Sequence, residues 1–151
     1  MMQTKLNFRY VMKDLGQVNH ILFCEVVRDA NTNTLFITQR RYILSTVKRF
    51  LNTSDSHKVG LNASPMEASI PLSIVDTEEF QDSQKQLKSI LYREAIGSLL
   101  WLIAGTRADI AFALQTCAKF SCKPCIKHCK AVLRVFKYLH RTINCGIVFR
   151  P

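Results

Sequence analysis

Acidic residues are missing from the last part of this sequence. Residues 110–151 hold eight lysines and arginines and no aspartate or glutamate, and the whole chain of 151 residues carries a formal charge of +10. Glycine is scarce and scattered, with five in the chain, so no glycine-rich phosphate-binding loop is present. The Gly-x-Ser-x-Gly and His-Glu-x-x-His patterns of serine hydrolases and zinc proteases are absent as well. These absences disfavour several enzyme classes, and the charge favours a polyanionic partner, first of all nucleic acid.

Long apolar runs are also lacking, although 48% of the residues are hydrophobic. A membrane-spanning helix needs about 20 consecutive apolar residues, so we expect no membrane partner. Met1 to Asp14 contains no apolar core of a signal peptide, which predicts an intracellular protein, cytoplasmic or nuclear, rather than a secreted one. The apolar fraction is sufficient for a folded core, in one domain or two small lobes.

Six cysteines, five of them in the last 35 residues, permit two interpretations. Cys122, Cys125, His128 and Cys129 are spaced like zinc ligands, but a second Cys-x-x-Cys pair is missing. The prediction is therefore free thiols and no bound metal, and a small zinc-binding module stays as an alternative.

The residue pattern predicts a mixed α+β fold. For the first part it predicts a helix over Lys5–Leu15 ending at Gly16, a strand over His20–Val27, a turn over Asp29–Asn33 and a returning strand over Leu35–Thr38. The apolar positions of Tyr42–Leu51 recur at helical spacing.

A long linker and a helical second part follow. Residues 61–90 are predicted to be this linker because 61–86 contain two prolines, many polar residues and little periodicity. Helices are predicted over Leu91–Ala104, Ile110–Phe120 and Lys127–Leu139, with an N-cap at Thr106 or Asp109. A short closing strand is predicted within Ile143–Phe149. The expected organisation is thus 1–60, 61–90 and 91–151.

One set of charges in the last helix is periodic. Its members step by three and four residues, so they lie on one helix face, opposite Val132, Val135 and Leu139. We name this set the basic stripe: Lys127, Lys130, Arg134, Lys137 and Arg141. The stripe is either a solvated surface or a phosphate-binding face, and a second group of cations surrounds the earlier helix, namely Arg40, Arg41, Lys48 and Arg49. Asp14, Glu25 and Asp109 are isolated in the sequence, so no pair of catalytic carboxylates is predicted among them. His20, His57, His128 and His140 have no visible partner in the sequence, and a hydrogen-bonded or solvent-facing role is predicted for each.

Motifs along nearly the whole chain, roughly residues 5–149, resemble the copia-type retrotransposon reverse transcriptase. The motifs in the first half are Met12–Gly16, Glu25-Val26, Gln39, Tyr42-Ile43 and Ser64–Glu67. Those in the second half are Tyr92-Arg93, Gly97–Leu100, Thr106–Phe112, Pro124, His128, Arg134, Tyr138-Leu139, Thr142 and Gly146. Phe23 stands where the family usually has glycine, Ser64 replaces a threonine, and Ala108 replaces a proline.

The resemblance implies a fragment of an RNA-directed DNA polymerase. In that family the catalytic Tyr-Val-Asp-Asp turn precedes the Lys-Asp-Leu-Gly block and the ribonuclease H carboxylates follow the last motif, so the resemblance implies an inactive piece without cofactor, Mg²⁺ serving only the complete polymerase. The hairpin from His20 to Thr38 would be the primer-grip end of the palm, followed by thumb and connection. The partners implied are the RNA/DNA primer–template duplex and the rest of the polyprotein. An interaction or structural remnant without a nucleic-acid role is the rival interpretation.

Overall fold

The computed structural model describes residues Tyr10, Lys13, 16–51, 64–66 and 91–151, and the following statements concern these residues. Their order is three strands, one helix, three further helices and a last strand. The bounds are β1 His20–Ile21, β2 Cys24–Asp29, β3 Thr34–Thr38, α1 Arg40–Phe50, α2 Tyr92–Gly105, α3 Ala111–Ala118, α4 Ile126–Arg141 and β4 Ile147–Phe149, with a 3₁₀ turn over Ala108–Ile110 before α3. The α+β prediction is confirmed. Nearly all of the helix predicted over Lys5–Leu15 and of the linker predicted over 61–90 lies outside the described residues.

The four strands form one antiparallel sheet in the order β1-β2-β3-β4. The predicted turn at Asp29–Asn33 is confirmed: the Asp29 carboxylate accepts hydrogen bonds from the Asn31 amide at 2.9 Å and from the Thr32 hydroxyl at 2.7 Å. The last strand pairs with β3, Ile37 lying opposite Ile147 and Leu35 opposite Phe149. Gly146 makes this approach possible, because a Cβ there would come within 2.4 Å of the Ile37 carbonyl oxygen. The closing strand is therefore confirmed, but only over the last three residues of the predicted range.

The single strand predicted over His20–Val27 is wrong. The chain reverses within it, since Ile21 pairs with Cys24 across a two-residue turn formed by Leu22 and Phe23. Both turn residues have positive φ, +48° and +65°, which is the backbone of a type I′ hairpin turn. Asparagine and glycine normally occupy such a turn, so the apolar pair carried no sequence signal for it. The position at which the resembled family has glycine is the second of these left-handed residues.

The core lies between α1 and the three later helices. Six apolar side chains there are 0% exposed: Ile43, Leu99, Leu102, Ile110, Phe136 and Leu139. The α1 and α4 faces meet through stacked rings of Phe50 and Phe136, whose centroids lie 5.0 Å apart. The predicted apolar faces of both helices are the ones that are buried. No helix in the described ranges is long and apolar enough to cross a membrane.

The predicted N-cap at Thr106 or Asp109 is wrong. Helix α3 begins after Ile110 and has no side-chain cap, because the 3₁₀ turn leads into it. The Thr106 hydroxyl instead donates to Gln39, 67 positions earlier, and the Asp109 carboxylate accepts from the neighbouring Arg107 and from Tyr138 on α4.

Candidate nucleic-acid interface

The basic stripe lies on the face of α4 opposite the core. His128, Cys129, Val132, Val135, Phe136 and Leu139 form the buried face of this helix. Lys127, Lys130 and Arg141 are exposed, while Arg134 and Lys137 are half-buried. From Lys127 to Arg141 the helix rises about 21 Å, at 1.5 Å per residue. The stripe is thus a straight row of cations on the surface, and no acidic residue follows it in the chain.

The N-terminal end of α4 is fixed by a capping box that uses unusual side chains. The Cys125 thiol accepts the backbone N–H of His128, and His128 Nδ1 accepts the backbone N–H of Cys125 at 3.0 Å. The imidazole is buried and stacked on Phe120 with the ring centroids 4.0 Å apart. His128 is therefore a structural residue, as predicted, because its acceptor nitrogen is used inside the fold.

The zinc-binding alternative finds no support in this geometry. All six cysteines are free thiols, with Cys122 exposed and Cys125 and Cys129 buried. Among the residues that the structure describes, no three His, Cys, Asp or Glu side chains come together as a metal site. Burial raises the pKa of the Cys117 and Cys129 thiols to about 11, so both are protonated near neutral pH.

The C-terminal end of α4 is held by Arg107, whose side chain is 1% exposed. Its guanidinium donates two bonds to the Asp109 carboxylate, at 3.0 and 2.8 Å, and two to Thr142, at 3.0 Å to the carbonyl and 2.5 Å to the hydroxyl. The Tyr138 hydroxyl also donates to Asp109, at 2.9 Å. Partial burial raises the pKa of Asp109, but the bonds and charge of Arg107 outweigh it, so this pKa lies below its usual range. We call Arg107, Asp109, Tyr138 and Thr142 the arginine clamp.

A second connection joins the sheet to the helices through Gln39, which is 1% exposed. Gln39 Oε1 accepts the backbone N–H of Thr106 at 2.9 Å and its hydroxyl at 3.0 Å. Gly105 leaves room for this side chain, since a Cβ there would lie within 2.5 Å of the Gln39 amide. The motif residues of the arginine clamp and of the Gln39–Thr106 connection therefore hold the fold together through packing and hydrogen bonds.

The second group of predicted binding residues is differently placed. Arg40 is exposed, and its Nη1 donates to Asn144 Oδ1 at 2.6 Å, just beyond the end of the basic stripe. Arg41 pairs with Glu25, with 3.0 Å between Nε and Oε1, and Arg49 pairs with Glu94. Lys48 is exposed on α1.

Two of the carboxylates that are isolated in the sequence pair with arginines, Glu25 with Arg41 and Asp109 with Arg107. The Arg107–Asp109 pair could have been predicted from the sequence, because the two residues stand two positions apart within the Thr106–Phe112 motif.

Comparison with known proteins identifies the relatives of this chain. It is 29% identical over 144 residues to the retrovirus-related Pol polyprotein from transposon TNT 1-94 of Nicotiana tabacum, covering 95% of this chain and 10% of the polyprotein. It is 32% identical over 145 residues to the corresponding polyprotein from transposon RE1 of Arabidopsis thaliana, covering 96% and 9%. An uncharacterized mitochondrial protein of Arabidopsis thaliana is 26% identical over 146 residues, covering 95% of this chain and 54% of that protein.

These matches confirm the resemblance at the level of a transposon Pol polyprotein. The chain spans about a tenth of the length of the two polyproteins it matches. No family model matches the chain, and no solved structure does.

Proposed function

We propose that this chain is a fragment of a copia-type reverse transcriptase that binds a primer–template duplex and has no catalytic activity of its own. The observation that carries the proposal is the basic stripe on the outward face of α4. A solvated helix surface usually mixes both charge signs, whereas this one has no acid within the helix or after it. The similarity to transposon Pol polyproteins supports a setting in which nucleic acid is the partner.

The contact would be with phosphates. Lysine and arginine side chains on one straight row neutralise backbone charges and release counterions, which is independent of base sequence. The capping box and the arginine clamp fix the two ends of α4, so the row needs little rearrangement on binding. By the resemblance, the hairpin from His20 to Thr38 would support the primer end, and α1 with Arg40, Arg41, Lys48 and Arg49 would belong to the thumb.

Catalysis is not part of this proposal. The chain contains no Tyr-Val-Asp-Asp sequence. Polymerase chemistry requires carboxylates grouped around Mg²⁺, and the described residues offer no such group. These residues therefore do not fit the metal that the complete polymerase would use.

Salt-dependent binding tests the proposal. With a blunt primer–template duplex, five neutralised phosphates predict a slope of log K against log salt of about −4 to −5. Replacing Lys130 and Lys137 by glutamine should reduce this slope by about two, with equal loss for unrelated sequences. The matched control is Arg28→Gln with Arg150→Gln, which removes the same charge from two exposed positions outside α4. A slope unchanged in the α4 variant, with its circular dichroism intact, would refute the phosphate-binding role.

A structural role within the polyprotein is the second candidate. The sheet exposes apolar side chains on β2 and β4, Val27 being 58% and Phe149 53% exposed. Such a surface suits packing against another part of the polyprotein. We expect the isolated chain to self-associate at low salt, and a monodisperse, cooperatively unfolding monomer in sedimentation and calorimetry would argue against this candidate.

A further inference from the structure

Helices α2 and α3 form an antiparallel hairpin whose outer face belongs neither to the core nor to the basic stripe. The beginning of α2 is tied to the end of α3 by two hydrogen bonds. The Tyr92 hydroxyl donates to the Cys117 carbonyl at 2.8 Å, and Arg93 Nε donates to the Ser121 carbonyl at 3.1 Å. The end of α2 and the start of α3 therefore lie together at the opposite end of the hairpin, joined by residues 106–110.

Large apolar side chains face solvent at that joined end. Leu100 and Trp101, in the last turns of α2, are 54% and 40% exposed, and Phe112, in the first turn of α3, is 74% exposed. Each belongs to the outward face of its helix, because Leu99, Leu102 and Leu114 are the buried neighbours. Two exposed aromatic rings on neighbouring helix ends are unusual for a surface that has no ligand.

Gly97 gives an independent indication. It lies one turn before Trp101 and one turn after Arg93 on the outward face of α2, and a Cβ added to it would meet nothing within 4 Å. Glycine within a helix costs about 1 kcal/mol relative to alanine. No packing inside the described fold requires this cost, in contrast to Gly105 and Gly146. Because Gly97 has no side chain, a ligand can contact the backbone of α2 directly at this position.

The charges around this face indicate what kind of ligand it would bind. Arg93 is held at the surface by its bond to Ser121, and Lys119 is exposed at the end of α3. The nearby acids are already neutralised within the fold, Glu94 by Arg49 and Asp109 by Arg107. The face therefore combines flat apolar rings with positive charge that pairs with no acid among the residues that the structure describes. That combination is complementary to a polyanion that carries exposed flat rings.

We propose that this face, which we call the hairpin platform, binds single-stranded nucleic acid. Bases stack on Trp101 and Phe112, one of them lies over Gly97, and the backbone phosphates contact Arg93 and Lys119. This inference rests on the proposed function and adds a second, separate surface to it: the basic stripe holds the duplex, and the hairpin platform holds an unpaired strand. Stacking on aromatic side chains is tolerant of sequence, so little base preference is expected.

Trp101 is the one tryptophan of the chain, so its fluorescence reports directly on this face. Titration of the full chain with a twelve-nucleotide oligothymidylate should quench Trp101 emission and give a saturable binding curve. Phe112→Leu retains an apolar side chain but removes the ring, and it should weaken binding by about tenfold. Leu44→Ala, at a side chain 43% exposed on α1, is the matched control and should bind like the parent.

Gly97→Gln separates binding from folding. Glutamine is a good helix former and its Cβ would meet nothing within 4 Å, so the urea midpoint should rise while oligonucleotide binding falls by about tenfold or more. A variant that is more stable and binds as well as the parent would overturn the proposal.

Two further probes complete the test. Inorganic polyphosphate supplies charge without bases, and quenching of Trp101 equal to that by the oligonucleotide would overturn the stacking role. Absence of quenching by the oligonucleotide at low salt would also overturn it. The salt slope for blunt duplex in the Phe112→Leu variant should equal that of the parent. Failure of the hairpin platform is thereby distinguishable from failure of the basic stripe.

Discussion

Breaking the arginine clamp from either side should destabilise the protein, and the two sides should not be equivalent. We consider Arg107→Met and Asp109→Ala, which each remove one partner of the same ion pair. The Arg107 side chain is 1% exposed, whereas that of Asp109 is 40% exposed. The difference arises because a carboxylate that loses its partner here can be hydrated, but a guanidinium that loses its partner cannot.

The magnitudes follow from that asymmetry. Arg107→Met removes the bonds to Asp109 and Thr142 but leaves a half-exposed carboxylate, so the free energy of unfolding should fall by about 2–3 kcal/mol. Asp109→Ala leaves a buried cation with only the Thr142 acceptors, which should cost about 3–5 kcal/mol. In the double variant Arg107→Met with Asp109→Ala no charge is buried. Its cost should be less than the sum of the single costs by about 2 kcal/mol.

The pH dependence of stability tests the Arg107–Asp109 ion pair independently, because the direction of the change is predicted. The folded pKa of Asp109 lies below its usual value, so protonation favours the unfolded state. The contribution of the ion pair is complete above the unfolded pKa of about 3.9 and is lost as the pH falls through the folded value. The difference in stability between the parent and Arg107→Met should therefore be constant near neutral pH and shrink below about pH 4.

Urea unfolding followed by circular dichroism at several pH values measures all of these quantities. The reasoning would be refuted by an Arg107→Met variant that costs more than Asp109→Ala at pH 7. A difference between the parent and Arg107→Met that grows toward acid would refute it equally.

Three other substitutions test local geometry by the same urea assay. Leu22→Asn should stabilise the protein by about 1 kcal/mol, because asparagine tolerates the left-handed backbone of the first hairpin turn; a loss of stability would argue against that turn. Gly146→Ala should destabilise by about 2 kcal/mol, since its Cβ would meet the Ile37 carbonyl, and an unchanged midpoint would contradict the close approach of β4. His128→Ala should cost at least about 1 kcal/mol more than His128→Asn, because the asparagine carbonyl can still accept the Cys125 amide; equal costs would mean that the capping bond contributes nothing.

Periodic patterns predicted the helices well. The apolar faces of α1 and α4 match those inferred from spacing, because burial of one helix face requires a repeat of three and four residues whatever the partner is. The same periodicity defined the basic stripe, whose outward position follows from the burial of the other face. The turn after β2 was predictable as well, since Asp29 closes it with its own side chain.

Contacts between distant residues could not be predicted in this way. The bonds from Gln39 to Thr106 and from Arg107 to Thr142 span 67 and 35 positions, and local spacing contains no information about such pairs. The hairpin turn at Leu22 and Phe23 was missed for the opposite reason, because its residues are ones that favour an extended strand. The hairpin platform was missed because exposure of Trp101 and Phe112 is a property of the folded surface.

The pairing of β3 with β4 has a consequence for synthesis on the ribosome. Thr38 ends β3 and Ile147 begins β4, so 108 residues are translated between them. At a rate of about 5–20 residues per second, the open side of β3 waits for about 5–20 seconds before its neighbour exists. During that time the nascent sheet has an unpaired edge with Leu35, Phe36 and Ile37 beside it, and α4 must emerge before the edge can close. A sheet of β1 to β3 that forms before β4 is translated therefore has an edge open to pairing with other chains, and slower elongation lengthens that period in direct proportion.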